Sequence, residues 1–347
     1  MPTNDIDLPP HDMRFQRVRA VVSGRGERPA HVGFLLVPGF SLISYACAIE
    51  PFRAANRLSG ETLYRWLHLT PNGKTATASN GVAIAPDARL SDVVDLDMLF
   101  VCAGGDPSLF ADKPTFAWLR RQASRDVLIG GVSGGPFVLA RAGLLSGYRC
   151  TIHWEHVDAF TEAFPNVALR RTLYESDRGR LTCSGGTAAL DMMHELIKER
   201  HGVLLANAVS EWYLQTNIRS GDGPQRMAIG QRLGIHSERV LAAVDAMERN
   251  LEEPVSRRRL ADAAGVSVRQ LERLFQMHIG RTVGEYYREL RLLRARSLIH
   301  ETALPVLEVG VASGFVSASH FSRSYAARFG LSPRADRARA KRPARRP

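Results

Sequence analysis

From His31 onward the chain alternates two kinds of apolar pattern. Unbroken apolar runs at His31–Val37, Met98–Cys102 and Val127–Val132 are separated by stretches at Ser41–Leu58, Thr115–Ser124, Pro136–Ala142 and Ala188–His201, where apolar residues return every three or four positions. Short runs without alternation suit strands covered on both faces, and the helical period suits the segments that cover them. The pattern predicts an α/β domain, a parallel sheet sandwiched between helices. Past the Gly/Pro-rich stretch Ser220–Pro224 the strand-like runs stop and only the helical period remains, which predicts a separate all-α domain. The expected division is an arm at 1–30, the α/β domain at 31–219, a flexible linker at 220–228, the helical domain at 229–334 and a basic tail at 335–347.

The helical part repeats itself. Ser267-Val-Arg-Gln-Leu-Glu-Arg-Leu-Phe275 aligns with Ser317-Ala-Ser-His-Phe-Ser-Arg-Ser-Tyr325 at an offset of 50 residues, and Gly280 and Gly330 keep the register. In each copy the apolar pair (Leu271 and Phe275, Phe321 and Tyr325) lies four apart on one helical face, whereas 269, 272, 273 and 319, 322, 323 lie on other faces. One stripe is suited to packing and the other is left for a partner. Upstream of the first copy, Arg258 to Ser267 reads as a short helix, a turn at Gly265 and a serine N-cap. Upstream of the second, a helix opened by Pro305 leads into the turn Ser313-Gly-Phe315 and the cap Ser317. Short helix, turn and capped second helix is the helix-turn-helix layout. Thr282–His300 reads as one amphipathic helix joining the two units.

Charge sharpens this picture. Residues 1–224 hold 23 basic and 23 acidic side chains, residues 225–347 hold 23 and 12, so the whole net charge of +11 sits on the part that carries the repeat. A basic module beside a neutral one is the electrostatic footprint of nucleic-acid binding, because each phosphate neutralised by Lys or Arg releases condensed counterions. The four cysteines show neither CxxC spacing nor the density of a disulfide scaffold, which suits reduced thiols in a cytoplasm. Met1–Met13 is polar and no 18-residue apolar run occurs, so neither an export signal nor a membrane span is expected. No residue pattern calls for a metal or a cofactor. Residues 1–30 read as a mobile arm, and the chain from Arg334 reads as a disordered tail.

The sharpest local chemistry in the α/β part is Gly131-Val-Ser133-Gly-Gly135, directly after an apolar strand and before a helix opened by Pro136. It matches the G-x-S-x-G nucleophile elbow, in which residue 133 is held above the sheet beside a helix N-terminus. A hydroxyl there needs a positioned base, and His153 is the candidate. A tight strand-to-helix turn also needs such glycines merely to be tight, so the motif by itself leaves catalysis and binding both open.

The capped repeat, the long joining helix and the closing phrase Phe329-Gly-Leu-Ser-Pro333 resemble the AraC/XylS family of transcription factors from Ile235 to Arg334. The resemblance implies that Arg269, Glu272 and Arg273 of the first reading helix, and Ser319, His320, Ser322 and Arg323 of the second, face bases of double-stranded DNA. Arg suits guanine O6/N7 and Glu suits cytosine N4. The phrases Leu36-Val-Pro-Gly-Phe-Ser41, Cys102-Ala-Gly-Gly105, Phe137 to Leu144, Thr151-Ile-His-Trp154 and Thr182 to Ala189 resemble the class I glutamine amidotransferase-like, PfpI-type domain, a PfpI/flavodoxin-like parallel sheet sandwich, in the version fused to AraC-type DNA-binding domains. Enzymes of that fold carry cysteine at the elbow and an acidic residue on the loop after the first strand. Here the elbow is Ser133 and Gly39–Ser44 has no acid, with Glu50 falling later, on the helix. A non-catalytic sensory pocket is the expectation; a hydrolase or amidotransferase using Ser133 and His153 is the alternative.

The resemblance implies a small nitrogenous effector, a quaternary amine or an amino acid. Phe40, Tyr45 and Trp154 would supply an aromatic face and Glu155 a negative charge for an ammonium group. Ser133 and His153 lie at the elbow, and the amides of Gly134 and Gly135, with those of Gly104 and Gly105 opposite, would hold a carboxylate. Trp154 fits core packing equally well. The same resemblance implies a homodimer on a direct-repeat operator, acting as an activator through RNA polymerase.

Overall fold

The computed structural model describes residues 28–93 and 95–340. Most of the arm expected at 1–30, and the last part of the tail, therefore lie outside the described residues. Two units emerge: an α/β unit ending at Gln225, and a helical unit comprising Arg226 onward together with the excursion Trp154–Pro165.

In the α/β unit the strands are β1 (Ala30–Leu36), β2 (Tyr64–Leu69), β3 (Ala76–Thr77), β4 (Ala83–Ile84), β5 (Met98–Ala103), β6 (Leu128–Ser133), β7 (Arg149–Cys150), β8 (Ala168–Leu169), β9 (Tyr174–Asp177) and β10 (Arg180–Cys183). Its helices are α1 (Leu42–Ser59), α2 (Lys113–Ala123), α3 (Gly135–Arg141), α5 (Ala188–His201) and α6 (Val203–Trp212), while α4 (Val157–Ala163) lies in the excursion. The main sheet runs β2-β1-β5-β6-β10-β9, parallel throughout except for β9, which closes one edge as a hairpin with β10. The predicted parallel sandwich is thus present, and the predicted strands and helices match to within two residues.

The elements not anticipated include α6 (Val203–Trp212), whose apolar face follows directly on α5, and two strands that the apolar pattern does not carry. The β2 sequence YRWLHL lies at an edge with a half-exposed face, and β9 reads YESD. One face of the sheet buries a core on α1, α5 and α6, centred on Phe34, Phe52 and Phe100, whose ring centroids lie 5.6–6.3 Å apart. Truncating any one of these fully buried rings to Ala costs about 3–5 kcal/mol.

The stretch from Ser220 is not a free linker. Leu173 and Tyr174 donate backbone N–H to Gly221 O, and the Gln225 amide donates to Thr151 Oγ1, Ile152 O and Thr172 O, all within 3.3 Å. The flexible connection expected at 220–228 is therefore corrected: residues up to Gln225 are laced onto the α/β unit, because its glycines and proline build a bonded turn.

The helical unit continues with α7 (Ile229–Leu233), α8 (Glu238–Arg249), α9 (Arg257–Ala263), α10 (Val268–Ile279), α11 (Val283–Glu301), α12 (Val306–Ala312), α13 (Ala318–Phe329) and α14 (Pro333–Ala340). It holds two separate cores. Val244, Leu260, Leu271 and Phe275 anchor the first, while Leu298, Val309, Phe321 and Tyr325 anchor the second; α11 contributes its first half to one and its second half to the other. The excursion lies along the C-terminal half of α11, where His156 Nδ1 meets Glu301 Oε2 at 2.8 Å with both side chains largely buried. The tail expected to be disordered from Arg334 is instead helical to Ala340. Buried Asp336 accepts from Tyr325 Oη (2.8 Å) and Arg296 Nε (3.1 Å), with His300 Nε2 at 3.2 Å.

Candidate functional site

Two places carry the chemistry, one in each unit. In the helical unit the repeat is realised atom for atom at the caps. Ser267 Oγ accepts from Gln270 N at 3.2 Å and Ser317 Oγ accepts from His320 N at 3.3 Å, each satisfying an orphan amide of its helix, and both helices end on a left-handed glycine, Gly280 and Gly330. Leu271, Phe275, Phe321 and Tyr325 are buried, as their spacing predicted. On the outer face Arg269, Arg273, Ser319, His320 and Arg323 are exposed and Ser322 is half-buried.

Arginine pairing sorts the basic groups. Arg328 is held by Glu289 at 2.6 Å and Arg257 lies 3.6 Å from Glu272, whereas none of Arg269, Arg273 and Arg323 has an acidic partner among the described residues. Glu272 is already engaged: its Oε2 accepts from Val283 N at 3.0 Å, the first amide of α11. Its carboxylate caps the joining helix, and its expected place at a cytosine edge is corrected accordingly. The spacing in sequence gave no hint of this, because the partner amide lies a helix away.

In the α/β unit the ends of β1, β5, β6 and β10 meet at the elbow, the place where parallel sheets of this type bind ligands. Ser133 has φ +60°, a conformation rare for a side-chain-bearing residue, and is 6% exposed. The turn is held from three sides. Gly134 N donates to Ala103 O (3.0 Å), His153 N donates to Ser133 O (3.3 Å), and Gly185 (φ +87°) leans so close that a methyl on it would fall 2.6 Å from Ser133 Cβ. Gly104 meets the loop after β1 equally tightly, with Gly39 O 2.9 Å from where its Cβ would be. Ser44 Oγ accepts from Gly186 N (2.7 Å) and donates to Ser41 Oγ (3.0 Å), lining the same end with hydroxyls.

Several expected pocket residues are engaged in contacts of their own. Phe40 is fully buried edge-on to Tyr45, and the Tyr45 hydroxyl is spent on His68 Nε2 at 2.6 Å, with His68 Nδ1 in turn 2.7 Å from Asp87. Neither presents an aromatic face: Phe40 is folded under by the turn after β1, where its N–H donates to Val37 O (3.0 Å), and Tyr45 by the first turn of α1. Trp154 is 43% exposed, but the Arg226 guanidinium already lies 4.6 Å from its ring, and it belongs with Glu155 to the helical unit. The Gly134 amide is likewise committed to Ala103. Ser133, Gly105 and His153 remain at the strand ends. Glu50 lies on α1, bonded to Arg53 and Tyr213. All four thiols are free; burial pushes Cys150 and Cys183 up to about 12 and Cys47 up to about 11, so none is poised as a thiolate. No group of three or more metal-ligating side chains occurs among the described residues, and no described helix is long and apolar enough to cross a membrane.

Comparison with known proteins agrees with this geometry. Residues 260–339 match the helix-turn-helix domain family and residues 31–199 the DJ-1/PfpI family. The chain is 43% identical over 316 residues to the HTH-type transcriptional regulator GbdR of Pseudomonas aeruginosa, covering 91% of this chain and 86% of that protein. It is 30% identical over 181 residues to isonitrile hydratase of Pseudomonas putida, covering 51% of this chain and 75% of that enzyme. A THiJ/PfpI family protein from Pseudomonas syringae superposes with a TM-score of 0.52 at 22% identity over 66% of this chain and 88% of that one, a likeness of fold. The chain belongs to the AraC-type HTH transcriptional regulators that carry a DJ-1/PfpI domain ahead of the DNA-binding helices.

Proposed function

We propose that the helical unit reads two short boxes on one face of double-stranded DNA, through Arg269 and Arg273 from α10 and Ser319, His320, Ser322 and Arg323 from α13, with Glu272 supporting the first reading helix. The observation that carries this is the pair of identically capped helices, each showing exposed arginine without an acidic partner. Two such helices on one joining helix suit successive major grooves about 34 Å apart, so the boxes within one monomer's site are direct. A homodimer then covers a direct-repeat operator and activates through RNA polymerase. The test is binding of the full-length chain to a duplex in which about five base pairs separate the boxes further, placing the second box on the opposite face. Binding that survives the insertion undiminished overturns the bipartite reading.

The α/β unit acts in this proposal as a non-catalytic sensor. Supporting it are a serine where the enzymes of the fold use cysteine, the absence of an acid on the loop Gly39–Ser44, and relationship to a regulator along most of the chain. The hydroxyls of Ser133 and Ser41, the latter held by Ser44, and the Gly105 amide suit a small polar effector, an amino acid or a quaternary amine bearing a carboxylate. Betaines, carnitine and amino acids are screened by thermal shift on the full chain, where ligand at 100 times its Kd stabilises by about 2.7 kcal/mol. A stabilisation that Ser133→Tyr removes supports the site; one that persists in the variant moves it elsewhere. The strained φ of Ser133 favours a second reading, hydrolysis with His153 as base. Ester or amide turnover that Ser133→Ala abolishes would establish it.

A further inference from the structure

Arg291 sits midway along α11, at the seam between the two helical cores, and its guanidinium is turned inward. Nε donates to Ser313 O at 3.0 Å, Nη2 donates to Gly314 O at 2.9 Å, and the cation lies 4.2 Å from the centroid of the Phe315 ring. A planar fork can grip two successive carbonyls and stack at once, which an ammonium cannot. Burial lowers the pKa of this guanidinium. The three residues it holds are the turn that leads into α13, and Phe315 carries the contact into the reading helix through Phe321 at 5.2 Å and His320 at 5.7 Å.

The other side of that turn faces the first helix-turn-helix. Gly314 has φ +75°, and a methyl there would fall 2.5 Å from Pro254 Cγ and 2.6 Å from Leu251 O, in the segment joining α8 to α9. One turn earlier on α11, Tyr287 donates its hydroxyl to Asn250 O and accepts from Val255 N at 3.3 Å. The joining helix therefore grips the first unit with Tyr287 and the second with Arg291, and Gly314 closes the gap between them.

We propose that Arg291 is a positioning residue for DNA reading: it fixes the second reading helix against the first, so that the protein measures the distance between its boxes as well as their sequence. This rests on the bipartite reading above. Without the clamp the second unit keeps its own core but loses its fixed bearing on the first.

The test uses the full-length chain and the duplex it enriches from a random pool, with the inter-box spacing then changed by one or two base pairs. Each base pair displaces the second groove by about 3.4 Å and rotates it by roughly 35°. Wild type is expected to lose affinity about tenfold or more on such shifts. Arg291→Met, which keeps the volume, should bind the native spacing more weakly and flatten the profile to within about threefold, with footprint protection lost at the second box only. Arg291→Lys should fall between, and Gly314→Ala should reproduce the flat profile from the other side of the contact. Thr282→Ala, which weakens α11 at its cap, controls for general destabilisation. If Arg291→Met lowers binding by one factor at every spacing, or leaves the profile as sharp as wild type, the proposal is overturned. A flat profile in wild type would instead overturn the bipartite reading itself.

Discussion

Arg273, Arg323, Arg328, Arg257 and Arg291 look alike in the sequence, and the fold gives them three different tasks. Two face outward without an acidic partner, two are paired with glutamates, and one is turned into the seam of the helical unit. The helical stripe was legible because it depends on spacing alone. The pairings were not, since Glu289 and Arg328 lie 39 residues apart. Arg273→Ala and Arg323→Ala are each expected to cost about 1–3 kcal/mol on the cognate duplex and little on random DNA, whereas Arg328→Ala should alter specificity little; titration of both duplexes checks this. Equal losses on both duplexes would reassign Arg273 to phosphate.

Asp336 gives a second prediction at this scale. Burial alone would raise its carboxyl pKa, but hydrogen bonds from Tyr325 and His300 and the charge of Arg296 outweigh it and hold the group below the usual carboxylate range. A carboxylate whose pKa is depressed on folding contributes stability above its unfolded pKa of about 3.9 and loses it as pH falls through the folded value. Asp336→Asn should therefore lower stability at pH 7, and the deficit relative to wild type should shrink on acidification below about pH 4. Urea melts across that range decide it; a deficit independent of pH removes the charge from the argument.

The unbroken apolar strands and the capped helices of the repeat were legible, whereas the apolar helices α6 and α8 were passed over for want of a cap or motif to mark them, and elements held by polar anchors left no apolar signal at all. The segment PRADRARA of α14 has the composition of a tail, yet Asp336, Tyr325, Arg296 and His300 fasten it beneath α13. Hydrophobic periodicity cannot register an element whose buried contact is a carboxylate. A chain ending at Ser332 should therefore show a lower Tm and lose protection at the second box while keeping the first. The cap of α11 is the converse case, a Thr282/Glu285 capping box readable from sequence, and Thr282→Ala should cost about 1 kcal/mol of stability. At the strand ends the glycines and Ser133 were legible because the elbow requires them. Phe40 and Tyr45 were misplaced because sequence cannot say which way a strand-to-helix turn and the first turn of the helix after it face.

At the scale of the whole chain, the charge division anticipated the main division into units, and the +11 excess falls on residues 225–347, which carry both reading helices. Counterion release then makes log K fall with log salt at a slope of about −0.9 per neutralised phosphate, and Arg323→Ala should leave that slope nearly unchanged if the residue reads a base. The boundary itself was drawn too simply. Because Trp154–Pro165 belongs to the helical unit while the residues on both sides belong to the α/β unit, the backbone passes between the two units three times. A protease site engineered at Asp222 and cleaved should give two polypeptides that still elute together under native conditions, and a fragment begun at Met227 lacks a segment that lies on α11. The regulator cannot be divided at its Gly/Pro-rich junction into a sensor and a reader that are each whole, so exchanging readers between relatives calls for the excursion to be exchanged along with them.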